Sequence, residues 1–260
     1  MITKSPEESI AIFNLLDVFL QKRGIVCADS PILRYVEERN SGMVFDLPRH
    51  IKGIVYSQLS SQQKWAVVVE PKLAHIDTLF FNYDISLIKK HDGNYFNKGI
   101  RALNCGNRSI NGWTANLHYN ISVLEKIEKA EGGIDKYYLS MPAHKLVKIL
   151  SSSGKYKLKY VGLALAWEYL GNVGIDRIKP DVHTRRILGS NRLGYSKKQM
   201  ATEDEVVTIA QNISNQTGLS LSMIDALLWN MCVAGKVEVC TEKPNCSICP
   251  IASYCSRLMN

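Results

Sequence analysis

Strict alternation of apolar and polar residues never lasts long enough in this chain to propose a β-sheet. Helix signals, by contrast, recur from one end to the other. Ser5-Pro6-Glu7-Glu8 is a capping box with proline at the first helical position; it opens an apolar face of Ile12, Leu15, Leu16 and Phe19 that Gly24 closes. Ser30-Pro31 opens a second helix, and LPRHIKGIVYSQLSSQQKW reads as a third followed by a polar break. Thr202 to Glu205 makes another capping box, and Ser222 is expected to start the helix MIDALLWNMCVAG, which Gly235 ends. The chain therefore reads as all-α, with about ten short helices and no repeat or long linker.

A length of 260 residues accommodates one large domain or two modest ones. The 32 Lys+Arg against 24 Asp+Glu leave a formal charge of +8, which favours a polyanionic partner, nucleic acid before membrane. No apolar run is long enough to span a bilayer, and the stretch MITKSPEESIAIF has acids where a signal peptide would be apolar. An intracellular, cytoplasmic and nucleoid-associated protein is the expectation. Thiols stay reduced in such a compartment, so seven cysteines need a reason. Cys27, Cys105 and Cys232 are scattered and read as core residues. The other four crowd into CTEKPNCSICPIASYC.

Cys240, Cys246, Cys249 and Cys255 are separated by five, two and five residues. Four thiolates from one compact loop hold either a [4Fe–4S] cluster or a tetrahedral zinc. Zinc sites tend to use two close C-x-x-C pairs, and only one such pair exists here. The spacing favours iron–sulfur, with a structural zinc as the alternative.

The stretch GKYKLKYVGLALAWEYLGNVGIDRIKPDVHTRRIL has its own grammar. A lysine-rich helix end runs into a tight turn, YVG. An apolar helix, LALAWEYL, follows, then a glycine-bearing break, GNVG, and then Asp181 at the mouth of another helix. Two helices joined by such a hairpin leave backbone N–H groups unpaired at the start of the second, which suits a phosphate oxygen. Lys155, Lys157 and Lys159 add charge around that contact. Asp181 alone is readable as a helix cap worth about 1 kcal/mol. The acid also suits reactions that pass through a cationic sugar, because one fixed carboxylate stabilises the cation and activates water.

On these residues the sequence resembles the helix-hairpin-helix DNA glycosylases, the superfamily of the endonuclease III-like and adenine-mismatch enzymes. In that family the hairpin is followed by an aspartate in a D-x-H-x-x-R-[IV] setting, and here Asp181-Val182-His183-Thr184-Arg185-Arg186-Ile187 supplies it. The family hairpin usually reads L-P-G-V-G; this chain has Leu158-Lys159-Tyr160-Val161-Gly162, with Tyr160 at the first glycine. Bifunctional members carry a Schiff-base lysine two residues after the hairpin's last glycine, where this chain has Ala164. The loop KPNCSICP reproduces the family's K-P-x-C-x-x-C-P, although the gap before Cys246 is one residue shorter than is common.

The resemblance implies two helical domains with a DNA-binding cleft between them. One is a six-helix barrel over residues 46–172 that ends in the hairpin; the other combines residues 1–45 and 173–260 and carries Asp181 and the cluster loop. It further implies a monofunctional enzyme that flips a damaged, modified or mispaired base from double-stranded DNA and hydrolyses its N-glycosidic bond. Asp181 is the catalytic residue in this picture. Lys159, Tyr160, Val161, Gly162, Arg185 and Lys243 are DNA contacts, and Gln58, through its Ser57-Gln58 context, fills the space the base vacates. His183 is expected to orient by hydrogen bonding, Arg186 to brace the domain junction, and the chain to act as a monomer. A glycosylase with AP-lyase activity from another lysine, and a non-catalytic DNA-binding protein on the same scaffold, are the alternatives.

Overall fold

The computed structural model describes residues 4–258, and every regular element among them is helical. The first three residues of the N-terminal stretch lie outside that range. No helix there is long and apolar enough to cross a membrane.

α1 (Pro6–Gln21) starts as its letters predict. Ser5 Oγ accepts from Glu8 N at 3.2 Å, and the Glu8 carboxylate takes Ser5 N at 2.9 Å. The chain leaves the helix through Gly24 at φ +73°, a left-handed geometry that costs glycine least. There follow α2 (Pro31–Asn40), α3 (Leu47–Ser60), α4 (Trp65–Val68), α5 (Leu73–Leu79), α6 (Ile85–Ile88), α7 (Gly93–Ala102) and α8 (Ile110–Ala115). Next come α9 (Leu117–Ala130), α10 (Ile134–Leu139), α11 (Ala143–Ser151) and α12 (Leu163–Asn172). After an extended stretch the chain forms α13 (Val182–Ile187), α14 (Glu203–Thr217) and α15 (Leu221–Asn230), and short 3-10 turns carry the cysteine loop. Many of these helices are a single turn or two, which is why the letters suggest fewer.

Two compact units emerge, one of Met1–Arg34 with Asp176–Asn260 and one of Tyr35–Ile175. The second of these units runs eleven residues before and three residues beyond the span 46–172. Residues 35–45 belong with the second unit because a buried ion pair ties them there. The Arg39 guanidinium donates to Val173 O at 2.6 Å and pairs with Asp135 at 2.7 Å, while Phe45 N donates to the same carboxylate at 3.1 Å. Apart from the end of α2, the helices of seven or more residues in this unit are α3, α5, α7, α9, α11 and α12.

The other unit is cored by Ile12, Phe13, Leu16 and Leu20 of α1, Val206, Ile209 and Ile213 of α14, and Ile224, Leu227 and Leu228 of α15. The Thr202–Glu205 capping box is present at α14. At α15 the expected limits shift: Ser220, not Ser222, caps it by accepting from Met223 N, and the helix stops at Asn230. Ser222 is buried and bonded to the backbone of Arg177 instead. The helix ends before Gly235 because Cys240 N returns to bond Met231 O at 2.8 Å, which the turn after Asn230 makes possible.

Arg39, Asp135 and His50 form the polar centre of the second unit. His50 is fully buried, its Nδ1 lies 2.7 Å from Tyr169 Oη, and burial holds its pKa below the ordinary value. Burial pushes the Asp135 carboxyl upward, but His50, Arg39 and the Phe45 amide outweigh it and hold the group at about 2. Its folded pKa is thus below that of an unfolded aspartate, so its stabilisation is present above about pH 4 and is lost as pH falls toward 2. Asp135→Ala, which strands Arg39 without a counter-charge, should cost about 3–5 kcal/mol in urea unfolding near neutral pH. That penalty should shrink as the same titration is repeated below about pH 4; a pH-independent penalty contradicts this account.

Candidate functional site

The hairpin in the second unit is built on a turn whose letters are unfavourable. Tyr160 sits at φ +59°, the left-handed region where glycine is at home, and a residue with a Cβ loses roughly 1–2 kcal/mol there. Side chains from elsewhere in the unit hold it. Asn120, 2% exposed, accepts from Lys159 N at 2.8 Å and donates to Lys159 O at 3.0 Å. Gln58 Nε2 donates to Tyr160 O at 2.9 Å, and Lys157 Nζ to Val161 O at 2.5 Å. The Tyr160 ring lies where a Cβ on Gly112 would stand, 2.1 Å from its ring carbons, so α8 has a glycine under the ring.

Gln58 is fully buried, with its amide nitrogen bonded to the hairpin. It braces the turn from behind. Val161 is also buried, and its N–H is directed to Leu158 O at 3.4 Å within the turn. What the hairpin exposes is Lys159, Tyr160, Gly162 and the first residues of α12, whose N-cap Gly162 supplies no side-chain cap. Those N–H groups remain for an outside acceptor. Lys159 Nζ stands 4.3 Å from the Tyr119 ring centroid, joining charge to an exposed aromatic beside the turn. Ala164 is exposed at the second residue of α12 and carries no amine.

An open depression of about 410 Å³ lies in the same unit, lined by Gln62, Gln63, Gly106, Asn107 and Arg108. Asn107 Nδ2 donates to Gln58 O at 2.6 Å, so the depression and the hairpin brace share α3. The sequence stretch around Asn107, Gly112 and Asn120 carries no recognisable motif. Its asparagines gave the one available signal, because buried asparagine needs partners and backbone turns supply them.

In the other unit Asp181 caps α13. Its Oδ1 accepts from His183 N at 2.8 Å and Thr184 N at 3.1 Å, and Thr184 Oγ1, 3.0 Å away, is shared with Lys179 O at 2.7 Å. Among the described residues every bond to this carboxylate falls on Oδ1, and the side chain is half-buried. Arg186 donates to His183 Nδ1 at 3.1 Å; burial holds the His183 pKa down, with Asp181 opposing and Arg186 assisting. A neutral His183 is therefore the acceptor in that pair. Arg185 Nε is tied to Ala201 O at 2.8 Å, which leaves its remaining guanidinium nitrogens for an outside partner.

The four loop cysteines carry no disulfide; Cys240 and Cys255 are buried, Cys246 and Cys249 half-buried. Among the described residues no three His, Cys, Asp or Glu side chains meet the geometry for a single metal ion. The thiols nevertheless share one electrostatic neighbourhood. Burial pushes Cys249 up to about 11 and Cys255 up as well; the other loop thiols add to both, and the Ile251 and Arg257 N–H groups oppose. Cys249 and Cys255 thus resist ionisation beside the other loop thiols, and thiols crowded in this way are a donor set suited to a strongly positive core.

Cys232, expected as plain core, is 2% exposed but also touches this group. The two neighbouring thiols act on each other, Cys240 being lowered and Cys232 raised, while Arg192 and Arg186 favour the Cys240 thiolate. Lys243 is exposed, with its carbonyl accepting from Thr241 Oγ1 at 2.8 Å. The structure thus gathers Gln58, Lys159, Tyr160, Val161 and Gly162 around one turn. It sets Arg186 within electrostatic range of Cys232 and Cys240, and Asp181 within range of Cys232. Comparison with known protein families, curated proteins and solved structures finds no match.

If Asn120 is the hairpin's clamp, Asn120→Ala should lower stability by about 1–3 kcal/mol, because it strands the Lys159 N–H and carbonyl. Hydrogen exchange should localise the loss to residues 157–162. Protection there equal to that of the unaltered protein would refute the clamp.

Proposed function

We propose that this chain is a DNA N-glycosylase of the helix-hairpin-helix kind, which extrudes a damaged, modified or mispaired base and hydrolyses its glycosidic bond. The observation that carries the reading is the asymmetry of the Asp181 carboxylate, with Oδ1 bonded into the cap of α13 and Oδ2 left for a reacting group. As the base departs with the glycosidic electron pair, C1′ of the sugar gains cationic character, and a fixed carboxylate oxygen stabilises it. Water then forms the new bond to C1′, Asp181 accepts the proton released, and the departing base is protonated from solvent. Unit charges about 4 Å apart at an effective dielectric near 20 attract by roughly 4 kcal/mol. Such a gain in the transition state is on the order of a thousandfold in rate.

The exposed N–H groups at the start of α12, with Lys159 and Tyr160 beside them, suit a DNA phosphate, and Lys243 and Arg185 would add contacts from the other unit. The excess of basic residues supports a polyanionic partner. With alanine at position 164, hydrolysis by water is favoured over Schiff-base chemistry. Cys240, Cys246, Cys249 and Cys255 would hold a [4Fe–4S] cluster, which when bound serves to fix its loop; a structural zinc is the competing occupant.

The decisive experiment is single-turnover base release from a panel of lesion-bearing and mismatched duplexes. Asp181→Asn keeps the Oδ1 acceptor and so the cap, yet should slow release about a thousandfold with DNA affinity retained. Salt-sensitive binding without release from any duplex would favour a DNA-binding protein instead. Covalent capture by borohydride would point to a lyase. Iron and inorganic sulfide in equal amounts in the purified protein are expected; zinc alone would replace the cluster assignment.

A further inference from the structure

Behind Asp181 lies a second carboxylate that the proposed reaction does not use. Asp225 is in α15, 9% exposed, and pairs with Arg177, which is 2% exposed. The backbone N–H of Lys179, two residues before Asp181, also favours the charged form of Asp225. Around this pair the segment 176–181 is sewn to the start of α15. Asp176 accepts from Leu221 N at 3.1 Å and Ser222 N at 2.8 Å, and Ser222 Oγ exchanges bonds with Arg177 N and Arg177 O, each at 3.2 Å. Thr184 Oγ1 then joins Lys179 O to the Asp181 carboxylate, so the geometry of the cap is inherited from the turn before it.

A linker needs no buried charges to be held in place, since well-packed apolar side chains do that at lower desolvation cost. The charges stand at the one turn that presents Asp181. We propose that Asp225 and Arg177 are positioning residues for the proposed base-release reaction, fixing the 176–181 turn so that Asp181 is aimed correctly from its cap. This rests on the catalytic reading of Asp181.

The pair also brings a pH dependence. Burial pushes Asp225 up to about 6; Arg177 opposes the rise, Asp181 adds to it, and Lys179 opposes it through its charge and its N–H. No other charged residue lies on α15. On α13, Arg185 is turned to Ala201 O and Arg186 to His183. Protonation of Asp225 removes its charge from the pair with Arg177 and so weakens one of the bonds that hold the turn. Reaction should therefore fail on the acid side near pH 6, far above the range in which an ordinary aspartate titrates.

Two measurements test this. In the first, single-turnover base release is followed against pH for the full-length, cluster-loaded protein and for Arg177→Met/Asp225→Leu, which removes both charges and keeps apolar bulk. The unaltered protein should lose activity below about pH 6. The double variant should retain its melting temperature and DNA affinity, react about a hundredfold more slowly, and lose that acid limb. Unchanged rate and profile would overturn the inference while leaving Asp181→Asn to judge catalysis separately.

The second needs no turnover, and it decides the matter where the double variant does not fold. Carbon-13 NMR of labelled aspartates should show Asp225 titrating near pH 6, and Asp181→Asn should lower that midpoint by removing the neighbouring charge. A midpoint that Asp181→Asn leaves in place would mean that the two carboxylates are uncoupled, and the inference would fall even if base release is observed.

Discussion

Six residues make a poor helix, and α13 has only six. Its first N–H groups have no partners within the helix, so its start depends on an acceptor at position 181. Asp181 meets that need with one oxygen. The same demand fixes the rotamer and, among the described residues, puts every bond to the carboxylate on the first oxygen. A short helix that must be capped is thus a way of aiming a carboxylate, and the stability of the cap and the direction of the acid cannot be separated.

The hairpin in the other unit follows a similar logic with different parts. Its turn adopts a left-handed residue at Tyr160, which glycine would accept more readily. The strain is held by bonds to backbone atoms from Asn120, Gln58 and Lys157, and by the absence of a side chain on Gly112. Each of these supports reaches the turn from behind or beneath. The outward side is left to Lys159, Tyr160 and the N-terminal amides of α12.

Features encoded by neighbours along the chain were legible in the sequence. The capping boxes at Ser5 and Thr202, the cap at Asp181 and the wholly helical class all follow from residues three or four apart. What depended on distant partners was not. Nothing near Asp225 announces Arg177, forty-eight positions away. Nothing near Asn120 announces Lys159. Nothing near Gln58 announces the Tyr160 carbonyl that its amide meets. The start of α15 went to Ser222 because two serines stand near it, and only the bond to Arg177 decides which one is spent elsewhere. The unit boundary at residue 35 has the same origin, since Arg39 belongs to the side where Asp135 and Val173 are.

Arg186 connects the two chemistries of the first unit. Its guanidinium donates to His183, two residues from the candidate catalytic acid, and its charge favours a thiolate at Cys240. Arg192 acts on Cys240 in the same sense, while Asp181 opposes ionisation of the adjoining Cys232. A negative cysteine site and a negative carboxylate within electrostatic range would each disfavour the other if nothing positive stood between them. The arginines of α13 and of the turn that follows it supply that charge. A cysteine loop and this carboxylate can therefore share a unit, and the basic residues of the segment act inside the protein as well as at its surface.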